Sequence, residues 1–485
     1  MLPQTSASGP VPGEEQPPLY VDLDGTLVKS DTLVDSLLVM LRTHPTLLLS
    51  VPSCLIHGKA AFKAFISESV SLDVAHLPYN SMLLDFLQQE RARGRVLYLT
   101  TGADTRLANR VANHLGIFTG VLGSDGATNL TGHKKLDGLR SHLGSGTFDY
   151  IGNSCADLPL LAHAAEAMVA NPSLALRMEL KRRGIHPACE FQERSRPVKS
   201  LINAVRVHQW AKNLLIFVPL LLSHSLNPGR ALTALIAFLA FSFTASATYI
   251  VNDLLDIESD RRHSRKRFRP FASGDLSAFT GLGVVAIFLL LAASGARLLP
   301  PAFSAWVLLY LVSTLAYSFY LKRVALVDVL VLSGLYTLRL QAGSAATQTP
   351  ISHWLAGFSI FLFLSLAIVK RFAELQNLGA GGAAPWNGRG YLVADIEQIR
   401  SFGTASAYAA VVIFAIYISG RDVTMLYRQP RLLWLIVPFM ILWLSRVWLL
   451  ASRGELNEDP VIFAITDKMS LLIGLAVVAI AMFSV

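Results

Sequence analysis

Asn252-Asp253-Leu254-Leu255-Asp256-Ile257-Glu258-Ser259-Asp260-Arg261-Arg262-His263-Ser264-Arg265-Lys266-Arg267-Phe268-Arg269-Pro270 begins where a long apolar run ends. On one continuous helix, positions 253, 256 and 260 fall at i, i+3 and i+7, which puts three carboxylates on a single face. Three carboxylates so close repel one another unless a cation sits among them. Hard oxygen donors suit Mg²⁺, which binds through one or two carboxylates plus substrate phosphates. Asp253, Asp256 and Asp260 are the expected catalytic and metal-holding acids, with Asn252 beside them. Arg261, Lys266 and Arg267 supply charge for phosphate oxygens. The run reads as a site that binds and expels diphosphate. A solvated, salt-bridged loop is the competing reading, and the regular carboxylate spacing argues against it.

Outward from this run the chain is mostly apolar. Of 485 residues, 53% are hydrophobic and 15% charged, against roughly 25% charged in soluble domains. Nine apolar segments centred on Ile216, Phe241, Ala286, Leu308, Leu332, Phe361, Ile413, Ile436 and Val477 approach the ~20 residues needed to cross a bilayer. With the N-terminus inside, the inner loops hold fourteen Lys or Arg and the outer loops five, as the positive-inside rule requires. A net charge of +9 is thus read as membrane orientation, and no nucleic-acid partner is expected. A single soluble globule and a disordered chain are excluded. The three cysteines imply neither a disulfide framework nor a zinc site. Residues 1–18, rich in Pro, Ser and Gly, read as a disordered leader without a signal peptide's apolar core. The expectation is a multi-pass protein of the inner (cytoplasmic) membrane with a cytoplasmic N-terminal domain.

That domain, expected over residues 19–190, alternates short strands (Leu19–Leu23, Arg95–Thr100, Phe148–Ile151) with helices (Ser81–Arg93, Thr105–Leu115). The alternation implies a parallel α/β sheet, and the stretch from Val28 to Pro78 a small helical cap. A linker over 191–205 joins it to an all-α domain of nine membrane helices over 206–485. Asp22-Leu23-Asp24-Gly25-Thr26 sets two carboxylates two residues apart on a turn after a strand. Asp22 can attack a phosphoryl group, Asp24 can protonate the leaving oxygen, and a Mg²⁺ between them would neutralise their charge.

This segment resembles the first motif of the haloacid-dehalogenase (HAD) superfamily of phosphatases, and later segments follow that family's order. Thr101 matches its phosphate-binding hydroxyl and Lys135 its lysine, with Lys134 a possible substitute. Asn153 and Asp157 in Gly152-Asn153-Ser154-Cys155-Ala156-Asp157 match its acidic motif. The resemblance implies a Rossmann-like fold and one Mg²⁺ held by Asp22, Asp24, Asn153 and Asp157. Asn153 stands where the family usually has Asp, so the site loses a negative charge.

The run from Asn252 resembles the first aspartate motif of the UbiA-type membrane prenyltransferases. Arg206, Gln209, Trp210, Lys212 and Asn213 at the first span, Lys322 after the fourth, and Asp328 and Arg339 on the fifth narrow the likeness to the decaprenyl-phosphate phosphoribosyltransferase-like branch. The resemblance implies one or more Mg²⁺ at the aspartate run. Its donor would be phosphoribosyl diphosphate, its acceptor a polyprenyl phosphate, and its setting the lipid bilayer. Where a second aspartate motif would stand, Lys370 and Arg371 suit a further phosphate. Arg206, Lys212, Asn213, Lys322, Arg339, Lys370 and Arg371 are the expected substrate contacts. The fused phosphatase would then remove the product's 5-phosphate. Two readings compete: prenyl transfer from a prenyl diphosphate to an aromatic acceptor, and a lipid transporter with a regulatory pseudophosphatase.

Overall fold

The computed structural model describes residues 16–193, 197–224, 227–380, 389–456 and 460–485. The expected leader up to residue 15, and residues 194–196 of the expected linker, lie outside them. The contact pattern divides the chain into two units. One joins Ile250–Gly283 to the chain up to Val205, and the other comprises Arg206–Tyr249 and Val284–Val485.

In the first unit six strands form one wholly parallel sheet in the order β3-β2-β1-β4-β5-β6. They are β1 (Leu19–Asp22), β2 (Leu97–Asp104), β3 (Gly120–Ser124), β4 (Asp149–Gly152), β5 (Ala167–Ala170) and β6 (Cys189–Phe191). Alternate side chains feed opposite faces. Leu19, Val21, Leu97 and Leu99 pack with Leu83 and Leu87 on one side. Tyr20 and Tyr150 pack with Leu136, Leu139, Leu160 and Leu176 on the other. The chain winds outward from β1 to β3, then restarts on the other side of β1 at β4. The carboxyl ends of β1 and β4 therefore flank the crevice where such sheets bind ligands. Between β1 and β2 the helices Thr32–Thr43, Val51–Ile56 and Lys59–Ser69 form the expected helical insert. Asp31 caps the first of these, accepting from the backbone N–H groups of Leu33 and Val34.

The second unit is helical. Among the described residues six helices are long and apolar enough to cross a membrane: Pro228–Leu255, Ala278–Arg297, Pro301–Phe319, His353–Leu378, Val393–Ser419 and Pro430–Ser452. The other three segments read as spans take different forms. The first is a 3₁₀ stretch, Val207–Phe217, followed by a short helix, Val218–Leu222. Pro219 lacks the N–H that would continue the preceding turns. The fifth, Val327–Thr347, is a full helix but buries Asp328, Ser333, Thr337 and Arg339, which lowers its apolarity. The last, Lys468–Ser484, has 17 residues.

Arg371 is among the largest fully buried side chains of the described residues. Its Nε lies 2.6 Å from Asp328, a Nη donates to Glu374 at 2.6 Å, and the other donates to the Tyr317 hydroxyl at 3.2 Å. Tyr391 donates to the second oxygen of Asp328. The pair thus ties helix Val327–Thr347 to helix His353–Ala380. Losing one member strands a buried charge, which costs about 3–5 kcal/mol. Arg371→Leu should lower the thermal unfolding midpoint of the detergent-solubilised protein sharply, and adding Asp328→Leu should restore most of the loss. Equal midpoints in the single variant and wild type would contradict this account.

Candidate functional site

Two clusters of charged side chains stand out, both within the first unit. The first lies at the carboxyl ends of β1 and β4, in a cavity of about 460 Å³. β1 ends on Asp22, whose oxygens accept from Lys135 Nζ at 2.6 Å and Thr26 Oγ1 at 3.0 Å. The turn that follows needs Gly25 at a φ of +76°. A Cβ there would lie 1.9 Å from Nδ2 of Asn153, so the Asn153 amide rests directly on the turn carrying both acids. Asp24 accepts from the backbone N–H of Thr32 at 2.7 Å. Lys135 also reaches Tyr150 at 2.7 Å and Asp157 at 3.4 Å.

Burial pushes the Asp22 carboxyl up to about 6 against the pull of Lys135. Burial, reinforced by the charge of Asp31, pushes Asp24 up to about 7. Burial opposes the Lys135 ammonium, but Asp22 and Asp157 outweigh it and hold its pKa above the ordinary value. One carboxyl therefore titrates below the other. Both carboxyls are thus held above the ordinary carboxylate range, chiefly by burial.

Two residues expected at this cluster are used differently. One Asp157 oxygen accepts from the N–H groups of Asn153 and Ser154 and from the Ser154 hydroxyl; the other accepts from Tyr150 at 2.8 Å. Its oxygens thus pin the loop and Lys135 while Asp157 lines the cavity. Thr101 is fully buried, with its hydroxyl accepting from the Ala103 N–H at 2.9 Å, and Gly102 and Ala103 line the cavity instead. A further cation comes from the helical insert. Lys63 donates to the Gly102 carbonyl at 2.6 Å and to Asn129 Oδ1 at 2.8 Å. No motif marks Lys63, which only the folded insert brings there.

The second cluster is the aspartate run, where the one-face expectation is corrected. The span helix ends at Leu255, and a new short helix, Ile257–Arg262, starts after Asp256. The break disrupts the i, i+3, i+7 register. Asp253 and Asp260 still converge: the Arg269 guanidinium bonds to both, at 3.0 and 2.7 Å. Asp256 instead pairs with Arg42 of the helical insert. Among the described residues no three His, Cys, Asp or Glu side chains gather as a metal-holding group. Asn252 Oδ1 is buried without a hydrogen-bond partner, adjacent in sequence to Asp253. Two carboxylates converge on the Arg269 guanidinium, and carboxylate oxygens are donors that suit a hard cation.

Arg261, expected on a phosphate, is buried. It pairs with Asp35 at 2.9 Å, donates to Ser30 Oγ at 3.0 Å and to the Ala272 carbonyl at 3.2 Å. Lys266 and Arg267 lie exposed on a 3₁₀ turn.

In the second unit Asn213 and Arg339 meet. Asn213 Oδ1 accepts from Arg339 Nε at 2.8 Å while its amide donates to Ser242 at 2.9 Å. Arg339 also donates to the Leu335 carbonyl and Tyr310, and lies over the rings of Phe241, Tyr310 and Tyr336. Lys212 lies 5.8 Å from the centre of the Tyr336 ring, and Arg206, in a left-handed conformation, 5.3 Å from that of Tyr249. Lys322 lies on the 3₁₀ turn Leu321–Arg323, and Lys370 precedes the buried Arg371 on its helix.

A parallel α/β sheet with acids at its crevice, joined to a bundle of apolar helices with an aspartate run at one span's end, defines a multi-pass membrane protein with an appended α/β domain. Residues 214–474 match the UbiA prenyltransferase family, and the chain belongs to that family. It is 39% identical over 459 residues to the uncharacterized protein y4nM of Sinorhizobium fredii, covering 94% of this chain and 89% of that one. It is 32% identical over 294 residues to the decaprenyl-phosphate phosphoribosyltransferase of Mycobacterium tuberculosis, covering 58% of this chain and 93% of that one. Among solved structures, a UbiA homolog from Archaeoglobus fulgidus bound to DMAPP and Mg²⁺ aligns with a TM-score of 0.45 and 17% identity, over 57% of this chain and 98% of that one.

The raised Asp24 carboxyl has a consequence for metal-free protein. Its folded-state pKa of about 7 exceeds its ordinary 3.8, so the folded state binds this proton more tightly. The resulting stabilisation is complete below about pH 4 and disappears as pH rises through about 7. In EDTA, wild type should lose stability relative to Asp24→Asn between pH 4 and 7. Melting curves that run parallel over that range would refute the shift.

Proposed function

We propose that this UbiA-family protein transfers 5-phosphoribosyl from phosphoribosyl diphosphate to a polyprenyl phosphate. Its N-terminal domain, a HAD-type phosphatase over residues 19–190, then removes the product's 5-phosphate. The observation that carries the transferase half is the convergence of Asp253 and Asp260 on the Arg269 guanidinium, in the segment where the Asn252 Oδ1 is buried without a hydrogen-bond partner. The donor and acceptor are suggested by the mycobacterial relative, whose name states a decaprenyl phosphate and a phosphoribosyl group. The proposal keeps the nine-span arrangement over 206–485, with the N-terminal domain on the cytoplasmic side of the inner membrane.

Asp253 and Asp260, with Asn252, would hold Mg²⁺, which supplies positive charge against the departing diphosphate. Arg269 is the partner of both acids and is 29% exposed, so it can turn to a phosphate oxygen together with Lys266 and Arg267. In the second unit, Arg206, Lys212, Asn213, Lys322, Arg339 and Lys370 are the residues proposed to bind substrate. The C1–oxygen bond to diphosphate breaks with its electron pair, and an oxygen of the lipid phosphate bonds to C1. That phosphate is already ionised at neutral pH, so no general base is required.

In the N-terminal domain Asp22, Asp24 and Asn153 would hold a second Mg²⁺, which screens the incoming phosphate from the two acids. Asp22 attacks phosphorus, the bond to the ribose 5-oxygen breaks, and Asp24 gives that oxygen its proton. Water then releases inorganic phosphate and restores Asp22. Lys135, held by Tyr150 and Asp157, keeps Asp22 oriented and balances its charge.

In proteoliposomes supplied with phosphoribosyl diphosphate, a polyprenyl phosphate and Mg²⁺, diphosphate should be released. Asp253→Ala should reduce that release roughly 100-fold or more. Consumption of a prenyl diphosphate in preference would overturn the donor assignment. Asp22→Asn should leave transfer intact and accumulate lipid-linked ribose that keeps its 5-phosphate. Appearance of the dephosphorylated lipid in that variant would remove the second step from this protein.

A further inference from the structure

The cavity at Asp22 and Asp24 is not walled by the α/β domain alone. Its polar floor is Asp22, Asp24, Lys135 and Asn153, but one side is built from the segment that follows the aspartate run: Ile257, Phe271, Leu276, Ala278 and Phe279. Ile257, Phe271 and Leu276 are buried, whereas Phe279 is 66% exposed at the cavity's edge. That segment is fastened by the Arg261–Asp35 pair, by Arg262 on Asp73 at 2.7 Å, and by Gly274. A Cβ on Gly274 would lie 2.7 Å from the Lys29 side chain, so backbone and insert touch there.

Phe279 also opens the span helix Ala278–Arg297, of which only 11% is buried. Phe279, Leu282, Gly283, Ala286, Ile287 and Leu290 are all exposed. Their spacing of i, i+3, i+4, i+7, i+8 and i+11 puts them on one helix face. The small residues Gly283 and Ala286 make that face shallow between Leu282, Ile287 and Leu290. Phe279, Leu282 and Gly283 therefore continue an apolar edge from the mouth of the cavity onto the first turns of this helix.

We infer that the N-terminal cavity is specific for a phosphomonoester carried on an isoprenoid lipid. The phosphorylated sugar sits against Asp22, and the lipid portion leaves past Leu276 and Phe279 toward Leu282. The inference rests on the phosphatase reading above and adds the residues that make the cavity select a lipid-borne substrate over a free one. A volume of about 460 Å³ exceeds what a phosphate alone needs and falls in the range of small-ligand pockets. A free sugar phosphate would fill the polar end and leave the apolar wall wet. A lipid-borne one covers that wall, and the buried apolar area favours it. Phe271, Leu276 and Phe279 thus act as specificity residues supplied by the loop between two spans.

The test uses the full chain in lipid nanodiscs, with phosphate release measured from two probes: ribose 5-phosphate and farnesyl-phosphoryl-ribose 5-phosphate. Wild type should favour the lipid-borne probe in kcat/KM by well over tenfold. Phe279→Ser should cut that preference about tenfold, chiefly through KM, and Phe279→Leu should restore much of it. Since Phe279 is exposed, these variants should fold; retained diphosphate release by the transferase site checks that they do. Equal kcat/KM for both probes in wild type, or a preference untouched by Phe279→Ser, would overturn the lipid assignment while leaving the phosphatase reading standing. Release from neither probe, by protein with an active transferase site, would overturn that reading and this inference with it.

Discussion

The buried ion pair between Arg261 and Asp35 is the contact on which the first unit's organisation turns. Both side chains are 2% exposed, and the guanidinium also satisfies Ser30 and the Ala272 carbonyl. Ser30 in turn donates to Asp35 at 2.6 Å. A buried pair repays its desolvation only when the remaining hydrogen-bonding capacity is met, and here it is. The result is that a loop between two membrane spans is fixed to a helical insert of an α/β domain. The apolar side of the phosphate cavity exists because of that attachment.

Much of the architecture was legible in the residue pattern. The central strand β1 and the acids at its end announce themselves because every residue of Leu19–Asp22 is buried and a Gly-containing turn follows. β3, β5 and β6 escaped reading. Gly-Val-Leu-Gly-Ser has little apolar contrast, and the short β5 and β6 lack the motifs that mark β1 and β4 at their carboxyl ends. Of the nine apolar segments, the departures trace to one proline, to polar residues buried along Val327–Thr347, and to the shortness of Lys468–Ser484.

The candidate sites were legible to a different degree. Spacing located the acids but assumed an unbroken helix, so Asp256 was placed with Asp253 and Asp260 when the break after Leu255 turns it to Arg42. The arginines were the least readable. Arg261, Arg269 and Arg371 look equivalent as letters in basic clusters. Burial makes Arg261 and Arg371 structural clasps, while Arg269, part-exposed, bridges two carboxylates. Charge tells where a cation is wanted; only packing tells which cation is already committed. Lys63 shows the converse, a cation in an unmarked helix that folding delivers to the cavity at Asp22 and Asp24.

The clasp has an implication for modularity. Because Arg261 and Asp256 find their counter-charges on the helical insert, the boundary near residue 205 is a seam in the chain but not in the electrostatics. A transferase severed there would carry one arginine and one aspartate stripped of their opposite numbers, at the very loop expected to handle diphosphate. Fusion in a single polypeptide is thus more than a tether. A change on either side of the Arg261–Asp35 and Asp256–Arg42 pairs strands a charge on the other.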